Sequence, residues 1–88
     1  MKISREKREK ISEQILGFLF SESPKLFFTV EIARELARDE EFVKKLLLEL
    51  KKKGLIHEIK KNPEGIPYAR RSRWRLTDAT YSAYKSRQ

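Results

Sequence analysis

The chain has 88 residues, a length that predicts one domain and is too short for most enzyme architectures. Hydrophobic and charged residues each make up 39%, with 3 Gly and 3 Pro, so a disordered segment is excluded. Without cysteine there is no disulfide framework, thiolate metal site or cysteine nucleophile. The 21 basic against 13 acidic residues give a net charge of +8, which suggests an anionic partner.

The first predicted element is an amphipathic helix over residues 4–21. Its apolar residues recur at the spacing of one buried helix face: Ile11, Ile15, Phe18 and Leu19. Pro24 ends this stretch, because proline lacks an N–H group and biases the residue before it toward extended geometry. Residues 26–29 (Leu-Phe-Phe-Thr) suit a short strand.

Two helices are predicted next. Thr29 is suited to cap the first of them, which runs to about residue 37 and buries Ile32, Ala33, Leu36 and Ala37. Asp39 is suited to cap the second, which runs to residue 53 and is followed by Gly54, the residue type favoured just beyond a helix end. The buried stripe of this helix is Val43, Leu46, Leu47 and Leu50.

After Gly54 the pattern changes from helical to extended. Residues 55–61 suit a strand, and residues 62–67 are dense in turn formers and form a loop. Residues 68–77 return as a strand, in which Trp74 alternates with arginines, so Trp74 is expected in the core. A short helix then begins at residues 77–78.

This order of elements describes an α+β winged helix-turn-helix fold. Residues 32–36 (Ile-Ala-Arg-Glu-Leu), followed by Val43, Leu47, Leu50 and residues 53–56 (Lys-Gly-Leu-Ile), resemble the helix-turn-helix of winged-helix regulators. Residues 74–78 (Trp-Arg-Leu-Thr-Asp) are similar to the aromatic-x-Leu-Thr step that ends the wing in MarR-, PadR- and related archaeal-type regulators.

The resemblance covers about residues 11–84. It implies one winged-helix domain over residues 1–88, with a three-helix core, a two-stranded wing hairpin and a C-terminal helix. The helix-turn-helix would span about residues 29–53 and the wing about residues 55–77. It further implies a protein that binds double-stranded DNA and is often dimeric, with its third helix in the major groove and its wing on the backbone or minor groove.

The positive charge is concentrated in the wing and the helix end before it. Residues 1–50 are neutral overall, whereas residues 51–75 carry nine basic and two acidic residues, for +7. Arginine forks match phosphate oxygens and fit a narrow minor groove. The candidate DNA-binding residues are Lys44, Lys45, Lys52, Lys60, Lys61, Tyr68, Arg70, Arg71, Arg73 and Arg75.

The third helix departs from the usual pattern of a recognition helix. Its first turn holds Asp39, Glu40 and Glu41, where groups that reach base edges are expected. Either Glu41 accepts a hydrogen bond from cytosine N4, or the acidic residues only stabilise the helix end and base reading is weak. Leu48 on the outward face is either an isolated exposed leucine or an anchor for a protein partner or a thymine methyl group.

The sequence predicts neither an enzyme nor a cofactor or metal site. His57 has no second His or Cys to complete a ligand set, and there is no Ser/His/Asp arrangement or phosphate-cradling glycine loop. No apolar run is long enough to span a membrane, and the N-terminus lacks signal-peptide features. A cytoplasmic protein is expected, associated with the nucleoid if the source is prokaryotic.

Three functions remain open at this point. The first is a duplex DNA-binding protein, with transcription regulation as the role that the resemblance implies. The second is a protein-interaction module that uses the outward face of the third helix, and the third is RNA binding. A homodimer through the first and last helices is also expected, because these helices carry apolar residues beyond the predicted core face: Leu16, Phe20, Tyr81 and Tyr84.

Overall fold

The elements follow one another in the predicted order. A computed structural model describes residues 4–67 and 71–87. In chain order its elements are α1 (Arg5–Ser21), β1 (Phe27–Phe28), α2 (Thr29–Leu36), α3 (Glu40–Lys52), β2 (Ile56–Ile59), β3 (Arg73–Leu76) and α4 (Asp78–Lys85). Residues 68–70, predicted as the start of the last strand, lie outside the described residues.

Short polar side chains begin three of the helices. Ser4 Oγ accepts a hydrogen bond from the Lys7 backbone N–H at 3.2 Å, and Asp39 Oδ2 accepts one from Phe42 at 3.1 Å. Thr77 Oγ1 accepts one from the Thr80 N–H at 3.3 Å. Each bond satisfies a backbone donor that the first helical turn leaves without a partner. The cap predicted at Asp39 is thereby confirmed.

The cap predicted at Thr29 is wrong. Phe28 is the N-cap residue of α2, and Thr29 is already its first helical residue. The Phe28 N–H donates to Glu31 Oε1 at 2.8 Å, so the glutamate supplies the acceptor at this helix start. Thr29 instead accepts a buried hydrogen bond from Trp74 Nε1 at 2.8 Å. Its hydroxyl therefore links the sheet to α2.

The turn between α2 and α3 depends on a left-handed residue. Ala37 has φ 53° and ψ 46°, and its N–H donates to the Arg34 carbonyl at 3.1 Å. This conformation turns the chain away from the helix axis, so Ala37 is exposed rather than buried as predicted. Gly54, at φ 78°, follows the end of α3 as expected and adopts the same region without a Cβ penalty.

The sheet has three strands in the order β1-β3-β2, where the sequence predicted a two-stranded hairpin and a separate short strand. Both pairings are antiparallel, with Phe27 opposite Trp74 and Ile56 opposite Leu76. The two-residue strand β1 was expected, but its partner lies more than 40 residues further along the chain. Hydrophobic alternation reports which residues face inward and carries no information on such a pairing.

One face of this sheet closes the core formed by α1, α2 and α3. Trp74, Ile15, Ile32 and Leu46 have no measurable exposure, so the core position predicted for Trp74 is confirmed. Leu16 is also buried, at 6% exposure, which corrects its assignment to an apolar surface outside the core. The opposite face of the sheet carries Phe28, Arg73 and Ile59 side by side across the three strands.

Together these elements form a winged helix: a three-helix core, a hairpin of β2 and β3, and a final helix. None of the helices within the described residues is long and apolar enough to cross a membrane.

Candidate nucleic-acid interface

The outward face of α3 is basic along its middle and last turns. Val43, Leu46, Leu47 and Leu50 point into the core, and this leaves Lys45, Leu48 and Lys52 directed to solvent. Leu48 is 42% exposed, as predicted. A helix face with a lysine on either side of Leu48 can approach a polyanion closely.

The first turn of the same helix is acidic. Glu40 and Glu41 are both exposed at the N-terminal end of α3. Their charges complement the positive end of the helix dipole, which stabilises the helix. The same charges lower the affinity of this turn for phosphate, because like charges repel at close range.

Glu58 joins the last turn of α3 to both strands of the wing. Its Oε1 accepts a hydrogen bond from Lys51 Nζ at 2.8 Å, and Lys60 Nζ lies 4.0 Å from the same oxygen. Its Oε2 accepts a hydrogen bond from the Ser72 hydroxyl, on the chain leading into β3. The Glu58 side chain is only 7% exposed, so these partners hold its carboxylate largely out of contact with solvent.

Burial and these polar partners shift the pKa of Glu58 in opposite directions. Burial alone would raise the pKa of the carboxyl group, since burial disfavours its charged form. The hydrogen bonds from Lys51 and Ser72, with the charges of Lys51 and Lys60, outweigh burial and lower the pKa below its ordinary value. Glu58 is therefore ionised at neutral pH, and it partly neutralises the field of two lysines.

The loop between the strands of the wing is organised by one asparagine. Asn62 Oδ1 accepts hydrogen bonds from the N–H groups of Glu64 at 3.0 Å and Ile66 at 2.8 Å. Gly65 adopts φ 85°, and Lys61 and Pro67 form an isolated antiparallel bridge at the base of the turn. Lys61 is exposed beside this ordered turn.

The described arginines of the wing differ in their surroundings. Arg71 is exposed, with Cζ over the Phe28 ring at 5.3 Å from its centroid. Arg73 is half-buried, and its Cζ lies 5.9 Å from the same centroid. Arg75 lies 3.8 Å from Asp78 Oδ1 and donates to the Leu76 carbonyl. Tyr68 and Arg70, also predicted to bind DNA, lie outside the described residues.

Residues of α3 and of the wing line one cleft. It has a volume of about 250 Å³ and opens between the start of α2, the first half of α3 and the chain leading into β3. Lys44 from α3 and Arg71 from the wing both contribute to its wall, as does Glu40. Its lining residues are Phe28, Thr29, Val30, Glu40, Lys44, Arg71 and Ser72.

The aromatic residues predicted to pair two subunits are engaged within one chain. The Phe20 ring lies 5.3 Å from the Tyr81 ring and 5.4 Å from the Tyr84 ring, centroid to centroid. The Tyr84 hydroxyl donates to Glu13 Oε2 at 3.2 Å. Burial, with the charge and hydrogen bond of Glu13, raises the pKa of Tyr84. These contacts fasten α4 to α1.

Several residues of this region carry little or no functional signal in the sequence. Glu58 resembles any surface glutamate, and its contacts to Lys51 and Ser72 arise only when α3 and β3 meet at β2. The sequence pattern identifies Phe28 only as a strand residue. Its place beside Arg71 depends on the pairing of β1 with β3. His57 is exposed, and no group of three acidic, His or Cys residues within residues 4–67 and 71–87 could hold a metal ion.

Solved structures of winged-helix regulators share this fold. A structure of MepR from Staphylococcus aureus in its DNA-binding conformation superposes with a TM-score of 0.70 and 24% identity, over 86% of this chain and 53% of that one. A zinc-responsive MarR family member, ZitR from Lactococcus lactis, superposes with a TM-score of 0.67 and 23% identity, over 99% of this chain and 52% of that one.

This chain spans about half the length of these structural neighbours. No protein-family model and no curated protein matches the sequence. At these identities the likeness establishes the winged-helix fold, and the fold class expected from the sequence is confirmed.

Proposed function

We propose that this protein binds double-stranded DNA through α3 and the wing. The observation that carries the proposal is the cleft in which Lys44 of α3 and Arg71 of the wing face the same space. A winged helix places its third helix in the major groove, so a cation on each side of such a cleft suits the phosphates that border the groove.

The contributions of the basic residues differ with their surroundings. Lys45 and Lys52 flank Leu48 on the outward face of α3, where they suit the walls of the major groove. Lys61 and Arg71 are exposed in the wing, and Arg70 and Tyr68 stay in the proposed interface by their place in the sequence. Lys60, Arg73 and Arg75 contribute mainly to the local potential, since Arg73 is half-buried and the other two lie near acidic groups.

Transcription regulation is the role that we propose for this binding. The structural neighbour MepR is described as a transcription regulator of a multidrug efflux pump in S. aureus, and ZitR as zinc-responsive. The acidic first turn of α3 favours binding through the backbone over reading of bases at that turn. We therefore expect modest sequence preference from this unit.

The test is a titration of the full chain with three ligands at two salt concentrations. A duplex DNA, one of its single strands and a duplex RNA of the same length are compared at about 50 and about 200 mM salt. We expect the duplex DNA to bind most tightly and its affinity to fall steeply as salt rises. Equal or tighter binding of duplex RNA would contradict the proposal, as would the absence of any binding to duplex DNA.

A protein-interaction role for the outward face of α3 is the alternative. The exposure of Leu48 favours it, because this residue shares the outward face of α3 with Glu41, Lys45 and Lys52, and an apolar residue among charges of both signs suits a protein surface. Substitution of Leu48 by Ser separates the two functions. DNA binding that is unchanged by Leu48→Ser and weakened by Lys45→Ala assigns the face to phosphate contacts.

A homodimer through α1 and α4 remains a proposal, but fewer exposed apolar residues support it than the sequence indicated. Leu16 is buried in the core, but Tyr81 is 36% exposed beside Phe20. Sedimentation equilibrium at tens of micromolar tests it, and a species of 10.5 kDa alone would contradict it.

A further inference from the structure

We propose that Phe28 is a positioning residue that presents the wing arginine Arg71 to phosphate. This inference rests on the proposed function and adds to it a residue outside the basic set. Phe28 carries no charge, lies on β1 and precedes the helix-turn-helix. Its proposed role is to act through the guanidinium group of Arg71.

The geometry places both arginines on one ring. Arg71 Cζ and Arg73 Cζ lie over the Phe28 ring at 5.3 and 5.9 Å from its centroid. Both distances are within the range of cation–π attraction, which extends to about 6 Å. Phe28 is opposite Arg73 in the register of β1 and β3, so the backbone pairing itself sets this contact.

A cation–π contact through the face of a guanidinium group leaves its binding edge free. The group is planar, and its N–H donors point outward in the plane while its face can lie on an aromatic ring. Arg71 is exposed, so its donors remain open to a phosphate oxygen from the solvent side. An arginine can therefore hold the ring and a phosphate at the same time.

The benefit to binding is conformational. A free arginine side chain loses rotamer entropy when it is fixed against a phosphate. Contact with Phe28 fixes part of that freedom before DNA arrives. Arg71 also lines the cleft that contains Lys44, and Phe28 lies in the wall of the same cleft. The ring therefore holds Arg71 where α3 and the wing share a ligand.

Phe28 is suited to a test because its hydrogen bond to α2 uses the backbone. Its N–H donates to Glu31 Oε1 at the start of α2, and this bond does not depend on the side chain. Phe28→Leu removes the aromatic face and keeps an apolar side chain, and Phe28→Tyr keeps the face. Phe18→Leu is a matched control, because Phe18 is also half-buried and packs on an aromatic ring, Phe27, at 4.7 Å.

The experiment measures duplex DNA affinity and its salt slope for these variants and for Arg71→Ala, alone and combined with Phe28→Leu. We expect Phe28→Leu to weaken DNA binding about three- to tenfold. Phe28→Tyr and Phe18→Leu are each expected to keep the wild-type affinity. The loss caused by Phe28→Leu is expected to be smaller when Arg71 is already Ala. In the free protein, the ring-current shift of the Arg71 side-chain protons is expected to disappear in Phe28→Leu.

Several other results would overturn the inference. If Arg71→Ala weakens binding and Phe28→Leu does not, the ring has no positioning role and the proposed function stands. The ring likewise has no positioning role if Phe18→Leu matches the loss, or if Phe28→Leu costs as much without Arg71 as with it. If Arg71→Ala leaves binding unchanged, both this inference and the proposed phosphate contact of Arg71 are wrong.

Discussion

Trp74 Nε1 donates a hydrogen bond of 2.8 Å to Thr29 Oγ1 in the interior of the protein. The bond joins β3 to the first residue of α2, and it satisfies the only polar group of a fully buried indole. It fixes the helix-turn-helix against the strand that carries the wing arginines.

Thr29→Val is expected to lower the free energy of unfolding by about 1–3 kcal/mol, because it leaves the buried indole N–H without an acceptor. Urea denaturation of the wild type, Thr29→Val, Trp74→Phe and the double variant forms a double-mutant cycle. The two losses are expected to be strongly non-additive. Additivity within about 0.5 kcal/mol would show that the hydrogen bond contributes nothing measurable.

Local patterns in the sequence predict most of the fold and less of its connections. The stripe of α3, the cap at Asp39 and the bend at Gly54 depend on neighbouring residues, so short-range rules predict them. The partner of β1 and the acceptor of the Trp74 indole lie more than 40 residues away along the chain. Periodicity carries no information on such pairs.

The sequence predicts which residues of the candidate site are basic, but it does not predict how their side chains are arranged. The +7 segment locates the basic residues, because their number is a property of the sequence alone. Which of them have partners depends on tertiary contacts: Glu58 lies against Lys51 and Lys60, and Phe28 against Arg71. These contacts change the availability of each cation without changing the net charge.

Glu58→Gln is expected to destabilise the protein at neutral pH by about 1–2 kcal/mol, because the carboxylate is the shared acceptor of Lys51 and Ser72. The folded protein lowers the pKa of Glu58, so this stabilisation is present above the ordinary glutamate pKa of about 4.3 and is lost as the pH falls further. Thermal unfolding at pH 7 and pH 3 is expected to show a difference between variant and wild type that shrinks at the lower pH.

The control for this measurement is Glu35→Gln, which removes an equal charge from an exposed position on α2. It is expected to change the melting temperature little at either pH. An equal effect of both variants would mean that net charge, and not the contacts of Glu58, determines the result.

Substitution of Glu40 and Glu41 by Gln is expected to tighten binding to unrelated duplexes severalfold. Both carboxylates are exposed at the start of α3, and their removal takes two negative charges from the face that we propose binds DNA. If Glu41 instead accepts a hydrogen bond from cytosine, preference at one base position is lost. Competition binding with a duplex library measures both outcomes.

Glu22→Gln with Glu35→Gln is the control for this pair, since both residues are exposed. It makes the same change in net charge at residues that belong to neither α3 nor the wing. Tighter binding of equal size in the control would assign the effect to overall charge and would contradict a local repulsion at the first turn of α3.

The central claim is that DNA lies against the wing, and the salt dependence of binding tests it most directly. In Lys61→Ala with Arg71→Ala, two exposed wing cations are lost, and the slope of log K against log salt is expected to flatten by up to about 1.8. Lys7→Ala with Lys10→Ala on α1 removes the same charge and is expected to leave the slope almost unchanged. A folded wing variant that keeps the wild-type affinity and slope would contradict the claim.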